Sequence, residues 1–148
     1  MRRQVESATD FINVDFEVRS MSDLDSLLAA LGGQVCANYV RRERRAYWLY
    51  GDLARAPKSA DAAIRAFSSL IDALPAAPRK LWDTAEPREF NIGVQAAMQP
   101  FCYEMLLSAE AVEAAAKLKA RIVFTVYAPE VPKNVVGKER ALVGGKRR

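Results

Sequence analysis

Residues Asn13–Ser20 read NVDFEVRS, and Ser22–Gly33, just after them, read SDLDSLLAALGG. In the first stretch, apolar and charged side chains alternate strictly, which predicts a β-strand with one face on a core and the other in water. In the second stretch, leucines recur at helical spacing. Ser22 is placed to cap the start of this helix, and Gly32 and Gly33 are placed to end it. Together, the strand and the helix predict a mixed α and β domain.

The next segments predict a hairpin and a second helix. Residues Gln34–Val40 and Ala46–Tyr50 are rich in β-forming side chains and flank a charged segment, so we expect a hairpin with an arginine-rich turn. Ser59 is placed to cap a helix whose apolar residues recur at helical spacing as far as Pro75.

The second half of the chain predicts three strands and one helix. The proline-rich segment Pro75–Pro87 is typical of a connection with one short helical turn. Residues 90–96 alternate as a half-buried strand, and residues 102–107 favour a strand, with a helix as the alternative. Ser108 caps a third helix. Residues Arg121–Tyr127 are apolar on both faces, which predicts a strand in the middle of the sheet.

These elements predict one α+β domain at residues 13–129, between an N-terminal extension at 1–12 and a C-terminal tail at 130–148. The order is β-α-β-β-α-β-β-α-β, and its first six elements have the ferredoxin-like order. We expect a mainly antiparallel sheet of five or six strands with three helices on one face. The predicted core is Val14, Phe16, Leu27, Leu31, Ile64, Phe67, Ile71, Phe124 and Val126.

The composition restricts the chemistry. The chain contains no histidine, which excludes histidine as a general base or metal ligand and removes Ser-His-Asp, Cys-His and H-E-x-x-H mechanisms. Two isolated cysteines cannot form a zinc site alone, and no phosphate-binding loop is present. We therefore predict no metal, no cofactor and no catalytic residues, and favour a protein that is not an enzyme.

The net charge of +4 is carried by the tail, where six basic residues stand against two acidic ones. The remainder of the chain is neutral, so nucleic-acid binding is not expected beyond weak electrostatic binding by the tail. A loosely held end is the simpler interpretation of the tail. With no apolar segment of membrane-spanning length and no signal-peptide pattern, the expected location is the cytoplasm, away from membranes.

A ligand or a partner has one candidate binding site, at the predicted hairpin. Its residues are Arg41, Arg42, Arg44, Arg45 and Trp48. Arginine forks bind phosphates, and aromatic rings stack on bases. The competing interpretation is an exposed, solubilising hairpin tip, because alternation places Tyr47 and Trp48 on opposite faces.

Two carboxylate pairs and one thiol are the candidates for catalytic groups. Asp83 with Glu86, and Glu104 with Glu110, require a working distance that a sequence cannot show, and caps or surface charges explain them better. Cys102 has no histidine to activate it, so it is expected to be a small core residue.

The chain resembles the bacterial family catalogued as domain of unknown function 4279. The resemblance covers about residues 13–128. It is carried by DLDSLLAALG at 23–32, Trp48-Leu49, LIDALP at 70–75, LSAE at 107–110, and the segment from Ala116 to Tyr127. It implies a small α+β domain of uncharacterised role and supplies no catalytic residues.

We therefore expect a non-catalytic binding or protein-interaction domain, such as the neutralising partner of a toxin or part of an assembly. One alternative is a histidine-free enzyme using Asp, Glu or Tyr in a pocket, and another is weak nucleic-acid binding through the tail. A homodimer is also expected, because helices on one side leave the other sheet face uncovered. Tyr39, Val123, Tyr127 and the apolar tail residues are candidates for that face.

Overall fold

A computed structural model describes residues 8–42 and 46–129. The strands are β1 (Asp10–Ser20), β2 (Val35–Arg42), β3 (Ala46–Leu53), β4 (Arg88–Gln95) and β5 (Arg121–Tyr127). The helices are α1 (Asp25–Leu31), α2 (Ala60–Asp72), α3 (Ala76–Thr84) and α4 (Ala109–Lys117), and a 3₁₀ turn at Gly32–Gln34 follows α1.

The five strands form one sheet in the order β2-β3-β1-β4-β5. Every neighbouring pair is antiparallel except β4 and β5, which are parallel. The predicted α+β class and mainly antiparallel sheet are confirmed. The observed element order is β-α-β-β-α-α-β-α-β, so the predicted order is wrong after the second helix. Strand β3 lies between β1 and β2, which is a split β-α-β arrangement.

The core lies between the helices and one face of the sheet. The apolar side chains of β1, from Val14 to Val18, pack in a single cluster with buried side chains of all four helices. Seven predicted core residues are confirmed there: Val14, Phe16, Leu27, Leu31, Ile64, Phe67 and Ile71. The opposite face carries the charged positions of β1 and is hereafter the open face.

Local capping signals explain where two helices begin. The Ser59 hydroxyl accepts the backbone N–H of Ala62 at 3.2 Å, and the Ser108 hydroxyl accepts that of Ala111 at 3.2 Å. The predicted cap at Ser22 is wrong. Helix α1 begins at Asp25, and the backbone N–H of Leu24 donates instead to the Tyr39 hydroxyl at 2.8 Å. The Asp23 carboxylate accepts the backbone N–H of Asp25 at 2.7 Å, so one local side chain and one side chain of β2 bind N–H groups at the start of α1.

The structure has four helices in its described part, where three were predicted. The segment interpreted as a connection contains the nine-residue helix α3, whose Trp82 is fully buried. Its indole N–H donates to the Leu118 carbonyl at 3.4 Å. The buried Arg88 guanidinium donates to the Trp82 carbonyl at 3.2 Å and to the Asp83 carbonyl. Arg88 thereby donates to two carbonyls in the last turn of α3, where backbone donors are few.

Two strand predictions are wrong. Residues 102–107 form no strand and link β4 to α4 in irregular backbone, where Cys102 is exposed and not in the core. Strand β5 is at the edge of the sheet, because the connection through α4 places it beside β4 and β1 takes the centre. Phe124 and Val126 are accordingly 56% and 64% exposed, and their assignment to the core is wrong.

None of the helices within the described residues has the length and apolarity that crossing a membrane requires.

Candidate binding surfaces

The predicted hairpin forms between β2 and β3, and its described strands contain three residues of the predicted site. Arg41 and Arg42 end β2, where their backbones pair with Tyr47 and Ala46 of β3. Trp48 follows on the same hairpin. Arg44 and Arg45 lie outside the described residues.

Trp48 lies on the open face in a small aromatic group. Its ring centroid is 4.5 Å from that of Tyr50, and the Arg19 guanidinium lies 5.0 Å from the Trp48 ring centroid. The same guanidinium donates to the Glu17 carboxylate at 3.0 Å. Arg19 is not among the site residues predicted from the sequence. Its charged position in the alternating stretch Asn13–Ser20 already placed it on the solvent side of β1. The group is therefore a tilted aromatic pair with a paired cation over the Trp48 ring.

Tyr39 belongs to the helix side of the sheet. Its ring stacks on that of Tyr47 with centroids 6.1 Å apart, and both residues pack against the core. Its predicted role on the uncovered face is therefore wrong. Val123 and Tyr127 lie on the open face, because they pair with Asn91 and Gln95 and alternate with the helix-side residues of β5.

The middle of the open face carries two carboxylates that sequence reasoning did not select. Asp15 of β1 and Asp52 of β3 are directly opposite in the antiparallel register. The Asn13 amide donates to both Asp52 oxygens at 2.8 and 3.0 Å and to Asp15 Oδ1 at 3.2 Å. Gly93 leaves room for this amide, because a Cβ there would lie 2.9 Å from Asn13 Oδ1.

The pKa of Asp15 is raised to about 7, and burial is the largest cause. A hydrogen bond with Asp52 and repulsion from Asp52 and Glu17 raise it further. Burial disfavours the charged form of the Asp15 carboxyl, and the neighbouring carboxylates disfavour it further. At neutral pH, the Asp15 carboxyl therefore retains its proton in part of the molecules.

The other predicted carboxylate pairs do not form a site. Asp83 is exposed and accepts from the Arg79 guanidinium at 3.0 Å within α3, while Glu86, Glu104 and Glu110 are exposed. Within residues 8–42 and 46–129 there is no cluster of three or more Cys, Asp or Glu side chains that could hold a metal ion. Two open depressions, of about 430 and 480 Å³, have Glu86 as their one carboxylate among the described residues.

The edge strand β5 carries exposed apolar side chains on the helix side of the sheet. Phe124 and Val126 are on the helix side, in register with Ile92 and Val94 of β4, which are buried. Ile122 packs against the core at the start of β5, so the helix layer covers one end of the strand and leaves the other open. We call Phe124 and Val126, with the backbone edge of β5 that faces away from β4, the β5 edge surface.

The backbone of β5 shows which groups face this edge. The Ala96 N–H donates to the Tyr127 carbonyl at 2.9 Å, so the peptide groups of Tyr127 point to β4. Because these groups alternate along a strand, those of Ile122, Phe124 and Val126 point away from β4. In the described part of the chain, β5 pairs with β4 alone.

Comparisons with known proteins gave no match to a family model, to a curated protein or to a solved structure. The resemblance to domain of unknown function 4279 stays a prediction.

Proposed function

We propose that the chain is a protein-interaction domain that binds an extended segment of a partner at the β5 edge surface. In this mode a strand is added to an open sheet edge, main-chain hydrogen bonds supply affinity, and alternate side chains supply specificity. The observation that carries the proposal is the exposure of Phe124 and Val126, at 56% and 64%, on an edge strand.

The two edges of the sheet differ in a way that supports this proposal. Sheet edges are normally protected by charged side chains, proline, a bulge or a covering element. Strand β2 ends in Arg41 and Arg42. Strand β5 reads RIVFTVY, contains no proline, and has its one charged residue, Arg121, at its first position. That guanidinium is already paired with the Glu89 carboxylate at 2.6 Å. The β5 edge therefore has little protection against pairing.

A proline substitution tests strand addition without attacking the core. Phe124→Pro removes an edge N–H that β4 does not use, and proline is tolerated where an edge N–H faces solvent. Phe124→Val is the matched control, since it also loses the ring but keeps the N–H and a strong β-former.

The measurement is capture of binding proteins from the native cell by the full chain and both variants, with identification by mass spectrometry. We expect a specific partner that Phe124→Val retains and Phe124→Pro loses, at matched thermal midpoints. Equal capture by both variants contradicts strand addition at β5.

The class of partner follows from the same features. We propose a protein partner, either a toxin neutralised by the domain or a component of an assembly, because the apolar and uncharged edge suits a polypeptide strand better than a phosphate backbone. A cytoplasmic location is proposed with it. The unpaired state of Cys36 and Cys102, both exposed, supports a reducing compartment.

A second candidate function, acid–base catalysis without histidine, is favoured by one observation. A carboxyl with a pKa near 7 beside a second carboxylate is the arrangement that hydrolytic carboxylate pairs use. Any turnover at this site should be abolished by Asp15→Asn and unaffected by Phe124→Pro. Activity that survives Asp15→Asn excludes this candidate.

A further inference from the structure

We infer that the strand received at the β5 edge surface is β5 of a second copy of this chain, running antiparallel to the first. The two sheets then join into one continuous sheet across a two-fold axis at Phe124. The inference rests on the proposed strand addition at β5 and names its partner.

The side chains of β5 are self-complementary in this register. With Phe124 opposite the partner's Phe124, Ile122 faces the partner's Val126, so apolar side chains meet along the whole helix side. On the open face, Val123 faces the partner's Thr125. Cross-strand pairs of aromatic and β-branched residues are those that stabilise antiparallel sheets.

The backbone has the phase that this register needs. The peptide groups of Ile122, Phe124 and Val126 point to the free edge, as the Ala96–Tyr127 hydrogen bond requires. A two-fold axis at Phe124 pairs outward groups with outward groups. Each such pair exchanges two N–H···O bonds, which gives roughly six new main-chain hydrogen bonds. A shift by one residue would oppose outward groups with groups already bonded to β4.

The charges also permit a second copy. Arg121 is the one ionised residue of β5, and in this register it faces the partner's Tyr127, an aromatic ring that a guanidinium can cover. No like charges oppose each other across the axis. Strand β2 carries two charged residues, Arg41 and Arg42, where β5 carries one.

A pair of cysteine variants tests the register directly. In a Cys36→Ser, Cys102→Ser background, Phe124→Cys places two thiols on the axis, where Cα atoms of a hydrogen-bonded pair are about 5.5 Å apart, within the range a disulfide spans. The control is Val126→Cys, whose two copies are four residues out of register and roughly 14 Å apart. We expect Phe124→Cys alone to form the disulfide-linked dimer on mild oxidation.

Light scattering and sedimentation on the full chain measure the dimer without cysteine. We expect a dimer at high micromolar concentration, and a dissociation constant at least about tenfold higher for Phe124→Pro than for Phe124→Val. Equal crosslinking of both cysteine variants overturns the register. A full chain that stays monomeric overturns the second copy as the partner. If Phe124→Pro then still loses a captured protein, the proposed function stands and the inference alone fails.

Discussion

Replacing Asp15 by asparagine should make the protein more stable at alkaline pH and change little at acid pH. The carboxyl of Asp15 is half-buried opposite Asp52, and its pKa is raised from 3.8 to about 7. An acid whose pKa is higher in the folded state binds its proton more tightly there. The resulting stabilisation is complete below about pH 4 and is lost as the pH rises to about 7.

The size of the effect follows from the shift and the exposure. Each unit of pKa difference corresponds to about 1.4 kcal/mol between the two protonation states. Solvent reaches the half-buried Asp15 side chain and screens its repulsion with Asp52, so we expect roughly 1–2 kcal/mol rather than the full value. The amide introduced by Asp15→Asn keeps the shape of the carboxyl and can donate a hydrogen bond to Asp52 without adding a charge.

The assay is urea unfolding followed by tryptophan fluorescence at several pH values between about 4.5 and 8.5. The free energy of unfolding of Asp15→Asn should match that of the unchanged chain near pH 4.5 and exceed it by roughly 1–2 kcal/mol near pH 8. Glu104→Gln, which neutralises an exposed carboxylate, controls for the loss of one negative charge. A variant that is less stable than the unchanged chain at pH 8, or a difference that does not vary with pH, refutes the raised pKa of Asp15.

Four further outcomes follow from the structure. Trp82→Ala should lower the free energy of unfolding by roughly 3–5 kcal/mol in urea, because the indole is fully buried, and a loss below about 1 kcal/mol would contradict its burial. Phe124→Ala, by contrast, should lower the free energy of unfolding by less than about 1 kcal/mol at low protein concentration, since the ring is exposed. A loss near about 3 kcal/mol would show that the ring is buried. Ser59→Ala should lower the free energy of unfolding by about 1 kcal/mol, because α2 loses its cap. Thermal melting measures this loss, and an unchanged melting temperature would show that the cap does not stabilise the protein. A chain ending at Pro129 should lose nearly all affinity for DNA or RNA in a titration at low salt, and tight binding by that body would make the hairpin a recognition surface.

The elements that were predictable are those whose signal is local. Strand β1 and the starts of α2 and α4 depend on alternation or on one capping residue, and these patterns span only a few positions. Helix α3 was missed because its prolines were interpreted as breaks. Pro75 precedes the helix and Pro78 lies in its first turn, where the missing N–H costs nothing.

The Asp15–Asp52 pair shows what a single sequence does not contain. The position of Asp15 on a wet face was predictable from alternation. Its partner depends on the register between β1 and β3, which is set by the turn geometry and by core packing across 37 positions. Asp52 follows Trp48 of the predicted hairpin site by four residues, but Asp15 is distant from both in sequence, so proximity along the chain gave no indication of the pair.

The misplacement of β5 has a different cause, and it connects with the proposed partner. A strand with apolar residues on both faces is predicted to be buried on both faces. The sequence does not show whether the residues that bury it belong to the same chain or to another. Among residues 8–42 and 46–129, nothing buries Phe124 and Val126, which are exposed. Under the proposed pairing, a second copy covers them. Because dimerisation stabilises the folded state by mass action, the cost of Phe124→Ala should then grow with protein concentration. If the loss of unfolding free energy in Phe124→Ala is small and constant from low to high micromolar protein, self-association does not explain the apolar pattern of β5.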